Sequence, residues 1–320
     1  VGLRGGVPVP AECERRRHPG DMVMTRHGVR ILVTIVLGLI WLATAMPAQA
    51  ASKYAALILD ADTGTVLFER HAKAERHPAS LTKIMTLYLL FDAIEDGRVK
   101  LSDRLKVSAH AAAQPPSNLR LRAGDTILVK DAILALVTKS ANDVAVVVAE
   151  TLGGTEYKFA RQMTLQARKL GMRNTTFRNA SGLHDRRQVT TAYDMAMLAL
   201  AVRRDFPREY RYFSTRSFSW KGRSYNNHNK LLGHYRGTDG IKTGYIGASG
   251  FNLVASVERN GRRLIGVVFG GKTGSRRDRH MKRLLDSGFK KANDIRVADI
   301  AVPPLPAPRP DRDVQVASAD

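Results

Sequence analysis

Short apolar runs separated by glycine- and asparagine-marked breaks fill most of the chain, and their lengths and periods sort them into strands and helices. Residues 54–70 read as a hairpin: two apolar runs flank Ala61-Asp62-Thr63-Gly64, a turn signal. After Pro78-Ala79-Ser80-Leu81-Thr82-Lys83 comes an apolar run over 84–91 with few breakers before Gly97, which predicts a buried helix. Residues 98–129 are mixed, with loops at Pro115-Pro116 and 123–125. Two more apolar helices follow at 130–138 and 144–152, the second stopped by Gly153-Gly154. Residues 155–170 are amphipathic and closed by Gly171; 191–203 form another helix with Thr191 as N-cap. The pattern then changes. Runs at 251–257 and 263–269 surround Asn260-Gly261 and predict a second hairpin, and 277–289 reads as a closing helix. Strands at both ends with a helical middle give an α+β class, in which the terminal hairpins share one antiparallel sheet covered by helices. There is no internal repeat.

The ends of the chain carry a different pattern. Residues 1–23 lack apolar periodicity, and Met24 is an alternative start. Arg26, His27 and Arg30 precede an apolar stretch over 31–45, and Pro47 and Ala48-Gln49-Ala50 follow it. That order is the form of an export signal with cleavage after Ala50, and the stretch is shorter than the ~20 residues a spanning helix needs. An uncleaved membrane anchor is the competing reading. From residue 302 the chain is Pro-rich, then polar, and reads as a disordered tail. The expected organisation is therefore an upstream extension and signal over 1–50, a catalytic domain over 51–292 and a tail over 293–320.

Composition is globular, with 44% hydrophobic and 25% charged residues. The formal net charge of +22 points to an anionic partner. The basic residues are dispersed, and no zinc finger or RNP-type aromatic motif is present, so nucleic acid is not the expected partner. The single cysteine, Cys13, lies within the expected signal region, which excludes a disulfide framework and a Cys nucleophile from the mature chain. The nine histidines supply no H-E-x-x-H pattern, and there is no G-x-S-x-G elbow. No metal and no cofactor are expected.

Ser80 and Lys83 stand three residues apart at a predicted helix start, a spacing that puts both on one face. A serine hydroxyl needs a nearby base to act as nucleophile, and a helix start offers unpaired N–H groups for a developing oxyanion. A lysine serves as base near neutrality only if burial or a neighbouring cation lowers its pKa. Taken alone, S-x-x-K is common. Ser140-x-Asn142 follows 60 positions after Ser80, and Lys242-Thr243-Gly244 follows 102 positions after Ser140. Alone, the first reads as an ordinary helix cap and the second as a strand and turn.

In this order the three elements match the active-site set of penicillin-binding proteins and serine β-lactamases. With Pro78–Thr86, Ser140-Ala141-Asn142-Asp143, Thr191-Ala192-Tyr193-Asp194 and Asp239–Gly244, the chain resembles the D-alanyl-D-alanine carboxypeptidases, the low-molecular-mass penicillin-binding proteins of serine peptidase family S11, over about residues 52–290. The resemblance implies a β-lactamase/transpeptidase-like fold, an antiparallel sheet flanked by helices with a helical subdomain bearing Ser140. It implies that Ser80 attacks the carbonyl between two D-alanines while Lys83 takes its proton. Ser140 then relays a proton to the leaving amine, and Asn142 holds Lys83 and the substrate amide. Lys242 and Thr243 would bind the terminal carboxylate, Gly244 would let the backbone approach, and the N–H groups of Ser80 and Tyr245 would form the oxyanion hole. Arg277, or the adjacent Arg276, would assist the carboxylate.

The implied function is trimming of peptidoglycan stem pentapeptides by an exported enzyme that β-lactam antibiotics acylate. A D,D-endopeptidase is the rival within the fold, and a class A β-lactamase is disfavoured by the lack of an E-x-x-L-N stretch. Many family members carry a β-rich second domain and an amphipathic membrane-surface helix. No such helix is evident in the roughly 30 residues after Phe289, and a soluble mature protein is expected. A decoy remains: Gly266–Thr273 fits the phosphate-loop pattern G-x-x-x-x-G-K-[ST]. Gly266, however, lies in a run that reads as strand where that pattern needs a loop.

Overall fold

A computed structural model describes residues 1–2 and 52–294. The export signal, Cys13 and all but the first two residues of the tail expected from 293 fall outside the described residues. Among the described residues no helix is long and apolar enough to cross a membrane.

Strands β1 (Ala55–Asp60) and β2 (Val66–Arg70) form the expected first hairpin. A 3-10 turn at Ala79–Thr82 runs directly into helix α1 (Lys83–Glu95). Then come β3 (Arg104–Lys106), α2 (Ala109–Ala112), β4 (Thr126–Leu128), α3 (Val129–Val137), α4 (Asn142–Gly153), α5 (Glu156–Lys169), α6 (Ala192–Asp205) and α7 (Pro207–Tyr210). A small hairpin, β5 (Ser217–Trp220) and β6 (Arg223–Asn226), precedes β7 (Thr238–Ile246), β8 (Gly250–Arg259), β9 (Arg262–Gly271) and α8 (Gly274–Asp294).

The main sheet is antiparallel throughout, in the order β2-β1-β9-β8-β7. The two terminal hairpins meet where β1 pairs β9, as expected. The fifth strand, β7, is longer than the short strand and turn read at Lys242-Thr243-Gly244, and the β5–β6 hairpin falls where the sequence predicts no strands, because its residues lack clean alternation. Alternating side chains send the two faces of the sheet into different cores. Leu57, Leu59, Val254, Ile265 and Val267 face the core shared with α1, α4 and α6. Ile58, Leu253, Ala255, Leu264 and Val268 face α8 through Met281, Leu285 and Phe289. A sheet covered on both sides explains why β1, β8 and β9 read as unbroken apolar runs.

Helices α1 and α4 are apolar on nearly every side because the core encloses them. The capping readings have direct counterparts: Thr155 and Thr191 accept from the amides of Lys158 and Asp194. At the β8–β9 turn both Asn260 and Gly261 take positive φ, as a two-residue hairpin turn requires. Several boundaries differ from expectation. Helix α8 starts at Gly274 rather than 277, and Ser80 lies in the 3-10 turn rather than in the first α-turn. The phosphate-loop reading fails on geometry, since Gly266 sits inside β9 opposite Ile58 and Ala255.

Candidate active site

Ser80 sits half-buried in its 3-10 turn, one residue after Ala79, whose φ is +49°. The i, i+3 spacing brings Lys83 beneath it, with Nζ 3.2 Å from Ser80 Oγ. Lys83 is fully buried and makes two shorter contacts, to Asn142 Oδ1 at 2.8 Å and the Ser181 carbonyl at 2.6 Å. Asn142 is oriented by its own donor, since Nδ2 donates to the Pro115 carbonyl at 2.9 Å.

This arrangement fixes where protons go. The Asn142 and Ser181 oxygens can only accept. A neutral Lys83 therefore spends both its N–H bonds on them and turns its lone pair to the Ser80 hydroxyl. Burial first, then the charge of Lys242, pushes the Lys83 pKa well below its ordinary value, against the opposing pull of Asp143 and Glu156. The amine is thus positioned to accept the hydroxyl proton, and its lowered pKa favours the neutral form that can do so.

Ser140 arrives from the α3–α4 connection in the left-handed region, φ +59°, where a non-glycine residue is uncommon. Its Oγ is buried and makes no hydrogen bond. A free hydroxyl beside the nucleophile can pass a proton in either direction. Asp143, next to Asn142, accepts from the amides of Leu119 and Leu121 and so ties the 115–121 loop to this segment.

Strand β7 closes the other side. Lys242 is buried, and Nζ reaches only the Thr243 carbonyl at 3.2 Å. Burial and the nearby Arg277 lower its pKa to about 7. Gly244 allows the strand to abut the nucleophile: a Cβ there would stand 3.0 Å from the Ser80 amide nitrogen and 3.1 Å from the Pro78 carbonyl. Tyr245 is exposed and packs on Phe251 with ring centroids 4.3 Å apart. Arg277, in the first turn of α8, is buried and donates to the Asn252 carbonyl and to Asp278.

A cleft of about 310 Å³ opens over these groups, and Ser80, Ser140, Thr243, Gly244, Tyr245 and Arg277 line it. Lys83, Asn142 and Lys242 are buried behind that lining. Of the two candidate arginines, Arg277 lines this cleft and also the neighbouring pocket, whereas Arg276 is exposed and lines only the neighbouring pocket, with Arg279 and Arg283. Sequence reasoning missed His228, Lys230 and the Ser181 carbonyl. His228 lines the cleft, and burial with the charges of Lys242, Lys139, Lys230 and Lys83 lowers its pKa to about 4. No local motif marks these residues, because folding alone brings them to the site. Among the described residues no group of three His, Cys, Asp or Glu side chains could hold a metal.

A family described as D-alanyl-D-alanine carboxypeptidase matches residues 42–273. The D-alanyl-D-alanine carboxypeptidase DacF of Bacillus subtilis is 33% identical over 284 residues, 82% of this chain and 71% of the relative. DacC of Escherichia coli is 36% identical over 241 residues, 73% of this chain. The chain spans only 60% of that relative's length. Among solved structures, penicillin binding protein 5 from Haemophilus influenzae superposes with a TM-score of 0.72 at 31% identity, covering 77% of this chain and 73% of its own. Penicillin-binding protein D2 from Listeria monocytogenes, in an ampicillin-bound form, gives 0.65 at 30% identity, covering 75% and 99%.

Proposed function

The chain belongs to the D-alanyl-D-alanine carboxypeptidase family, and from that premise we propose that it is a serine D,D-carboxypeptidase of the peptidoglycan stem peptide, acting outside the cytoplasm. Ser80 Oγ attacks the carbonyl between the two D-alanines as its proton passes to Lys83 Nζ. The tetrahedral oxyanion is received by the N–H groups of Ser80 and Tyr245. Ser140 relays the proton from Lys83 to the leaving amine, the C–N bond breaks, and D-alanine departs. A water then attacks the acyl-enzyme with Lys83 again taking a proton, and the shortened peptide leaves as Ser80 is regenerated. Lys242, Thr243 and Arg277 receive the terminal carboxylate as two cations and a hydroxyl donor, and Asn142 keeps Lys83 in place.

The observation that carries this reading is the Lys83 contact set, in which two acceptor-only partners leave the amine lone pair to Ser80. The same nucleophile would open a β-lactam ring, and the ampicillin-bound form of the Listeria protein makes such drugs the natural probe. Fluorescent penicillin should label the wild type covalently and leave Ser80→Ala unlabelled; labelling that survives the substitution refutes the assignment. Release of D-alanine from a stem pentapeptide, without cleavage of a cross-linked dimer, separates a carboxypeptidase from an endopeptidase.

A further inference from the structure

A second concavity, about 320 Å³, borders the catalytic segment and is not used by the mechanism above. Arg120, Arg122, Lys221 and Arg223 line it together with Trp220 and Tyr225. Asp125, also in the wall, pairs with Lys221 at 3.2 Å. Arg120, Arg122 and Arg223 are all exposed. Among the described residues Arg120 and Arg223 have no carboxylate beside them, and Arg122 shares the single Asp125 carboxylate with Lys221, so the hollow keeps a net positive charge and makes a site for anions. The planar guanidinium forks match carboxylates, and the aromatic faces offer an apolar bed for the chain that carries them.

The groove is built onto the catalytic residues. The Asp143 carboxylate accepts from the amides of Leu119 and Leu121, both buried. That pinch leaves Arg120 between them at φ +59°, exposed at the tip of the turn. The same loop is fastened to the Ser140–Asn142 segment by Ser117 Oγ to the Lys139 carbonyl at 2.7 Å and by the Asn142 amide to the Ser117 carbonyl at 2.6 Å. The other wall, the β5–β6 hairpin, is held by Lys139 Nζ lying 5.2 Å over the Tyr225 ring. Both walls thus contact Lys139, the residue before Ser140, whereas Arg277 comes to the cleft from the β9–α8 side.

We infer that this groove is a subsite for the part of the substrate upstream of the scissile bond, and that it selects peptides bearing free carboxylates there. The inference rests on the carboxypeptidase reading and adds to it a substrate class: acidic stem peptides over their amidated counterparts. Lys242 and Arg277 hold the carboxylate at the leaving end, while Arg120, Arg122 and Arg223 hold those at the other.

The test uses two synthetic pentapeptides that share a D-alanyl-D-alanine end and differ only in whether their upstream side-chain carboxylates are free or amidated. Wild-type kcat/KM should favour the free acid by about tenfold at low salt, the sum of a few exposed charge pairs. The preference should shrink toward unity as salt shortens the screening length. Arg122→Gln with Arg223→Gln should reduce it to about twofold or less, with the loss confined to the free-acid peptide. The rate of penicillin acylation serves as the check that the variant is folded. Arg223→Glu, a single change on an exposed strand, provides a second arm and should make the amidated peptide the better substrate. Equal wild-type turnover of both peptides overturns the inference, as does a preference that survives these substitutions; either result identifies the groove as a solvated rim. Turnover of neither peptide by the wild type brings down the carboxypeptidase reading itself, and the inference with it.

Discussion

Lys83 and Lys242 are the same residue type, equally sealed from water, in opposite settings. Lys83 has three oxygen partners within 3.2 Å, and the carboxylates of Asp143 and Glu156 pull against its loss of charge. Lys242 has one backbone carbonyl and a guanidinium neighbour, with no carboxylate among the causes of its shift. Burial lowers both pKa values, so burial does not distinguish their tasks. The distinction lies in what is missing from each. Lys83 has its N–H bonds satisfied and lacks only a proton to accept. Lys242 has donors to spare beside Arg277 and lacks an anion.

The largest effect should come from breaking the first setting. Lys83→Met removes the base while keeping a chain of similar length, and acylation by penicillin and by peptide should fall together by about 10³-fold or more, read in a single-turnover labelling assay. Lys242→Gln should act differently. It should cost about 10²-fold in kcat/KM on a substrate with a free terminal carboxylate and much less on the same peptide amidated at its end. Equal losses on both would show that Lys242 acts on the nucleophile and not on the carboxylate.

Gly244→Ala tests the seam between the two lysines. Its methyl would stand 3.0 Å from the Ser80 amide nitrogen, a backbone atom that cannot swing aside, so the strand must move. Acylation should slow about tenfold, with a loss of about 1–3 kcal/mol in unfolding free energy. Asp143→Ala removes the acceptor of the Leu119, Leu121 and Val144 amides and should destabilise by about 2–3 kcal/mol, measured by urea denaturation.

A further effect is on pH. The folded protein gives up the Lys242 proton near pH 7, where the unfolded chain keeps it until about 10.5. Between those values the unfolded state binds more protons, so this lysine makes stability rise with pH across that window, and as pH falls the gain is lost progressively until about 7. In kinetics the same titration appears as a rise in KM for carboxylate substrates above about pH 7. That rise should be absent for the end-amidated peptide.

Much of this was legible before any fold was known. Ser80 and Lys83 are three apart, and a helical turn of either kind brings them together, so the change from α-turn to 3-10 turn did not matter. The hairpin at Asn260-Gly261 and the caps at Thr155 and Thr191 follow from local backbone chemistry. Strand β7 was harder to read, because Thr238-Asp239-Gly240 and Thr243-Gly244 break its apolar alternation; it pairs only because β8 already presents an open edge. His228, Lys230 and the Ser181 carbonyl carried no readable signal, since each reaches the cleft from a segment with no motif of its own.

The residue types, their order along the chain and the period of each segment were therefore set by the sequence alone, because turns, caps and amphipathic faces depend on neighbours a few positions apart. Tertiary structure alone decided which lysine holds its partners and which awaits one, that Arg277 and not Arg276 faces the cleft, and that Ser140 keeps an unspent hydroxyl. Those properties depend on desolvation and on charges brought close by segments far apart along the chain, and no short window of sequence contains them.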